Sequence, residues 1–75
     1  MMDAMSIEIN RKFGDRLRRL RKKQNWTQVY MAEHSGIDRS YISDMENGKK
    51  AVCLPTLQVI AKSFDISISQ LLKGL

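Results

Sequence analysis

Seventy-five residues, 43% of them apolar, make one domain near the lower size limit for a self-sufficient core and exclude a disordered chain. One cysteine rules out an intramolecular disulfide, no Cys/His cluster has zinc spacing, and no apolar run approaches the roughly 18 residues of a membrane span. The formal charge of +5 at pH 7, with a pI near 9.7, favours a polyanionic partner, although a solvated basic surface alone also fits it.

Residues 1–6 read as a loose lead-in that orders only by docking. The opening Met1-Met2-Asp3-Ala4-Met5 lacks the basic-then-apolar order of a secretory signal, so a cytoplasmic, reducing location is expected. Residues 7–24 read as a first helix, with Ile9, Phe13, Leu17 and Leu20 on one face at i, i+4, i+8 and i+11. Gly14 marks a close helix contact or nothing at all. The other faces carry Arg11, Lys12, Arg16, Arg18, Arg19, Arg21, Lys22 and Lys23. Most of these form a solvated face, with Lys22 and Lys23 adding attraction to phosphate. Trp26, the only tryptophan, is expected to pack at the corner into the next helix rather than stack on bases.

The stretch from Thr27 to Gly48 reads as two short helices joined by a tight turn. Thr27 caps the first, about residues 28–34, in which Val29, Met31 and Ala32 are the candidate inward residues. Tyr30 and His34 are expected at its surface. Gly36 ends it, Asp38 caps the second helix, about residues 39–46, and Gly48 closes that one. Helix, glycine-containing turn, helix is the pattern in which the second helix enters the DNA major groove. Ile37, Ile42 and Met45 face inward, which leaves Arg39, Ser40, Ser43 and Asp44 outward. Arg39 can give two parallel hydrogen bonds to guanine, and the two serines can donate or accept. Asp44 can accept from cytosine, orient Arg39 or repel wrong sites. Tyr41 packs its ring partly inward.

Beyond Gly48, Ala51-Val52-Cys53-Leu54 is unusually apolar for a loop, and the thiol of Cys53 is expected to be buried or half-buried. Pro55 opens a helix over residues 54–63, with Leu57, Ile60, Ala61 and Phe64 as its core side. Asp65 ends it in a left-handed conformation. Ser67 caps the last helix, about residues 68–73. Ile66, Ile68, Leu71, Leu72 and Leu75 give this end, about residues 66–75, more apolar surface than it can bury, which marks a subunit contact.

Thr27-Gln28 through Ala32, then Gly36-Ile37, Ser40, Ile42-Ser43 and Glu46-Asn47-Gly48, resemble the Cro/phage-repressor (XRE-like) helix-turn-helix family. Pro55-Thr56-Leu57 to Ile60-Ala61-Lys62, Ile66-Ser67 and Gln70-Leu71-Leu72 resemble its last two helices. Within that family, Asp38-Arg39-Ser40-Tyr41-Ile42-Ser43 is similar to the controller proteins of restriction–modification systems. The resemblance implies an all-α, five-helix, lambda-repressor-like DNA-binding domain over residues 7–75, with the helix-turn-helix at about 27–47. It implies base readout by Arg39, Ser40, Ser43 and Asp44, with Tyr41 touching a base step. It implies phosphate contacts at Thr27, Gln28, Asn47 and Lys49, an ion pair between Arg21 and Glu46, and a homodimer formed through the last helix.

The expected function is a homodimeric, sequence-specific transcriptional regulator on double-stranded DNA, with contact to RNA polymerase as a further expectation. No cofactor, metal or membrane partner is expected. An antitoxin-like protein-interaction module with autoregulatory DNA binding is the alternative, and co-purification with a second protein separates the two. No nucleophile–base constellation, glycine-rich phosphate loop or pair of carboxylates placed for acid–base work is seen, so an enzyme is not expected.

Overall fold

The computed structural model describes residues 3–75; Met1 and Met2 of the expected lead-in lie outside the described residues. Five helices follow one another: α1 (Ala4–Lys23), α2 (Gln28–Ser35), α3 (Arg39–Glu46), α4 (Leu54–Ser63) and α5 (Ile68–Leu71). Among the described residues there is no strand, and no helix is long and apolar enough to cross a membrane.

α1 begins at Ala4, not at residue 7, and Asp3 is the reason. Its Oδ1 accepts the N–H of Ser6 at 2.8 Å, which satisfies one of the orphan donors of the first turn. Residues 4–6 of the expected lead-in are therefore helical.

α3 lies between α1 and α2, and α4 packs on α2 and α5. Leu17, Met31, Ile42, Met45, Ile60 and Leu71 are fully buried where these helices meet, each contributing about 1.5–3 kcal/mol of hydrophobic stabilisation. The buried stripe of α1 differs from the apolar spacing. It runs Asn10, Phe13, Gly14, Leu17 and Arg21, while Ile9 is 45% exposed and Leu20 only half-buried. The cause is Gly14, whose bare backbone brings the end of α3 onto that flank and turns Ile9 away. Val29 is likewise exposed, because α2 buries only the side carrying Met31.

Three helices end in the same way. After α1, the N–H of Trp26 donates to the Arg21 carbonyl and that of Asn25 to Lys22, with Asn25 left-handed at φ 60°. After α4, Ile66 and Asp65 repeat the pattern onto Ala61 and Lys62, with Asp65 at φ 57°. After α3, Lys49 and Gly48 do so onto Asp44 and Met45, with Gly48 at φ 71°. These are Schellman endings, and they fix the direction in which each following segment leaves. Trp26 is then held half-buried, stacked on Phe64 at 4.9 Å and flanked by Tyr30 and His34.

Three expectations for the C-terminal half are corrected. Cys53 occupies the N-cap position of α4 without a side-chain bond to the helix N–H groups, and it is exposed rather than buried. Its Sγ lies 3.3 Å from Thr56 Oγ1, and that hydrogen bond lowers the thiol pKa. α5 spans four residues, not six, opened by a reciprocal Ser67/Gln70 capping box and ended by Leu72. Leu71, expected at a subunit contact, has no exposed surface and belongs to the chain's own core.

Candidate nucleic-acid interface

The N-terminus of α2 is set by Thr27, whose Oγ1 accepts the N–H of Tyr30 at 3.0 Å. Gly36 ends the helix in the left-handed region at φ 79°, a position where a β-carbon is disfavoured. Asp38 Oδ2 then accepts the N–H of Ser40 at 2.9 Å and starts α3 after a three-residue connection. The helix-turn-helix is thus defined by two side-chain caps and one glycine.

α3 has two unlike faces. Ile42, Met45 and Glu46 are buried. On the opposite side Arg39 and Ser40 are exposed and Ser43 and Asp44 are half-buried. Tyr41 packs partly against the core. No ion pair joins Asp44 to Arg39 among the described residues, so Asp44 does not orient the arginine here. Five positions apart, the two residues lack the three- or four-residue spacing that makes neighbours on a helix surface.

A buried ionic cluster locks the inner face. Arg21 Nε and Nη2 donate to Glu46 Oε2 and Oε1 at 2.6 and 3.0 Å, and Nη1 donates to the Trp26 carbonyl at 2.7 Å. Gln28 Nε2 donates to Glu46 Oε1 at 3.2 Å. The expected Arg21–Glu46 pair is therefore present, and it joins α1, the corner at Trp26, the first turn of α2 and the end of α3. The bond to Glu46 raises the Arg21 pKa. Burial alone would raise that of Glu46, but the hydrogen bonds from Arg21 and Gln28, with the charge of Arg21, hold it below the usual carboxylate range.

The residues expected at phosphates frame α3. Thr27 and Gln28 stand at the start of α2, where backbone N–H groups and the helix dipole favour an anion. One amide hydrogen of Gln28 is engaged by Glu46, and the second remains available. Asn47 ends α3, and Lys49 follows after the left-handed Gly48; both are exposed. Arg18, which nothing in its sequence context singles out, reaches this corner: its Nη2 donates to Asn47 Oδ1 at 3.1 Å and to the Glu46 carbonyl at 3.3 Å. Only the approach of α1 to α3 at Gly14 reveals it.

The sequence model of the helix-turn-helix family matches residues 17–71. The competence pilus inhibition repressor of Acinetobacter baylyi is 41% identical over 58 residues, 77% of this chain and 53% of the relative. The chain thus spans about half the length of that relative. The control protein C.MunI of a Mycoplasma species is 38% identical over 65 residues, 85% of this chain and 88% of that protein. The crystal structure of the restriction-modification controller protein C.AhdI from Aeromonas hydrophila superposes with a TM-score of 0.79. It covers 83% of this chain and 94% of its own at 39% identity. The chain therefore belongs to the helix-turn-helix family of Cro/phage-repressor (XRE-like) type, whose members are DNA-binding transcriptional regulators.

Proposed function

We propose that this protein is a sequence-specific transcriptional regulator that binds a palindromic operator as a homodimer, each α3 lying in one of two successive major grooves. The observation that carries the reading is the two-faced α3. Its inner side is fixed by Ile42, Met45 and the Arg21–Glu46 pair, and its outer side offers Arg39, Ser40, Ser43 and Asp44 with Tyr41 at the edge. A rigid helix with polar groups on its free side can hold donors and acceptors against base edges. The net charge of +5 supplies attraction to any DNA, and Thr27, Gln28, Asn47 and Lys49 set the position on the backbone.

Control of a restriction–modification system is the narrower role we favour, because relatives matched over most of their length are control proteins. The protein would act in the cytosol, and contact with RNA polymerase belongs to the same reading.

Operator fragments selected from a random pool provide the test. Arg39→Ala is expected to lose about 1–3 kcal/mol of discrimination, roughly 5- to 150-fold, while binding to random duplex is largely kept. Equal loss on all sequences would remove the readout role from Arg39.

The subunit contact is carried in this reading by Ile66, Ile68, Leu72 and Leu75. Ile68 and Leu75 are 37% and 40% exposed, and Leu72 and Leu75 border an apolar hollow with Ile9, Phe13, Val52 and Leu57. Dimerisation sets the two recognition helices about 34 Å apart, one turn of DNA. Sedimentation across a dilution series should show a concentration-dependent dimer, converted to monomer by Ile68→Asp combined with Leu75→Asp. A monomer at every concentration, or a dimer that survives both substitutions, would refute this face.

A further inference from the structure

Arg18 touches three oxygens at the end of α3. Its Nη2 donates to the Glu46 carbonyl and to Asn47 Oδ1, and its Nε lies 3.5 Å from Glu46 Oε1. Its side chain is still 38% exposed. A guanidinium has donors and no acceptor, so the atom of Asn47 that faces it must be the amide oxygen. The amide nitrogen is thereby turned the other way, on an exposed residue, with no partner among the described residues. An unrestrained asparagine amide rotates over a broad, roughly two-fold torsion and presents its oxygen as readily as its nitrogen. Here one orientation is selected. Arg11, Asp15, Arg18, Glu46 and Asn47 line one shallow hollow, in which the Glu46 carboxylate is shared by Arg21 and Arg18.

We infer that Arg18 is a positioning residue that locks the side chain of Asn47 with its N–H2 group presented to a DNA phosphate. This rests on the DNA-binding reading above and adds to it the residue that makes Asn47 a donor rather than a freely turning amide. A phosphate is acceptor-only at this contact, so the wrong amide orientation would repel it.

Two measurements test the clamp. In the free protein, NMR relaxation of the Asn47 side-chain amide should report a rigid group that becomes mobile in Arg18→Lys, which keeps the charge but cannot bridge the same oxygens. A rigid amide in Arg18→Lys would overturn the inference without any DNA present. Titration of a short random-sequence duplex at low salt gives the second reading. Asn47→Ala should weaken binding about tenfold, as for a hydrogen bond to a charged group, and Arg18→Lys by a similar factor. The double variant should lose no more than either single one, whereas losses that multiply would mean that Arg18 acts independently of Asn47. Asn47→Asp keeps the arginine contact and the fold but has no N–H to offer, so it should bind more weakly than Asn47→Ala; tighter binding would refute the donor role. Failure of the unaltered protein to bind any duplex would overturn the DNA reading itself, and the NMR comparison would still decide whether Arg18 holds the amide.

Discussion

Replacing Glu46 with alanine is expected to cost about 3–5 kcal/mol of folding stability, because it leaves the buried guanidinium of Arg21 without its counter-charge. In a domain of this size such a loss lowers the melting temperature by more than about 12 °C. Burial decides the size of the loss. Arg18 and Gln28 also contact the carboxylate, but both keep some exposure and can return to water. Arg21 is 8% exposed and cannot. Thermal unfolding of Glu46→Ala, Arg21→Met and the pair Arg21→Met/Glu46→Leu checks it. The apolar pair should recover most of the loss, because well-packed hydrophobic replacements of a buried ion pair are often neutral or stabilising. A Glu46→Ala protein that melts with the unaltered one would show that the pair contributes nothing.

The same carboxylate makes the stability of the fold depend on pH. Its pKa in the folded chain lies below its unfolded value, so its contribution is whole above the unfolded pKa and is lost as the pH falls through the folded one. Stability should therefore begin to decline as the pH falls through the ordinary carboxylate range and go on declining below it. Glu46→Gln, which cannot titrate, should flatten that decline.

The parts of the molecule that were legible in the sequence are those written in local chemistry. Thr27, Asp38 and Ser67 are caps whose hydroxyl or carboxylate acts within three residues, and each caps its helix as expected. Gly36, Gly48 and Asp65 mark helix ends because left-handed backbone is selective for few residue types. Leu57, Ile60, Ala61 and Phe64 were readable from helical spacing, and all four are buried. The Arg21–Glu46 pair, by contrast, was legible only through family resemblance, since nothing in the spacing of two residues on different helices announces a contact.

What was not legible depends on how helices are set against each other. The buried stripe of α1 is displaced toward Gly14, which no periodicity count registers, because glycine scores as neither apolar nor polar. Asn10 took the place assigned to Ile9 for that reason. Leu71 was assigned to a subunit contact because the apolar residues from Ile66 to Leu75 exceed what so small a helix can bury by itself. With only four residues in α5, its side chain closes the core of its own chain. Arg18 was one of eight basic residues on one helix, and only the meeting of α1 with the end of α3 distinguishes it.

Gly14→Ala should destabilise the fold by at least about 2 kcal/mol, even though alanine gains about 1 kcal/mol of helix propensity over glycine. A β-carbon on Gly14 would lie 2.4 Å from the carbonyl oxygen of Met45 and 2.7 Å from that of Glu46. Both obstacles are backbone atoms in the last turn of α3, so no side chain can swing aside to make room. α1 and α3 must part by roughly an ångström to restore van der Waals contact. That movement loosens the layer of Phe13, Leu17 and Met45 and lengthens the Arg21–Glu46 and Arg18–Asn47 contacts, which span the same two helices. Stability and DNA binding should therefore fall together, unlike Arg39→Ala, which leaves the fold intact. Asp15→Ala, at the neighbouring exposed position of the same helix, is the control and should melt at or slightly above the unaltered protein. If Gly14→Ala gained stability to match that control, the close crossing of α1 over the end of α3 would be wrong, and with it the rigid support that holds the outer face of α3 in place.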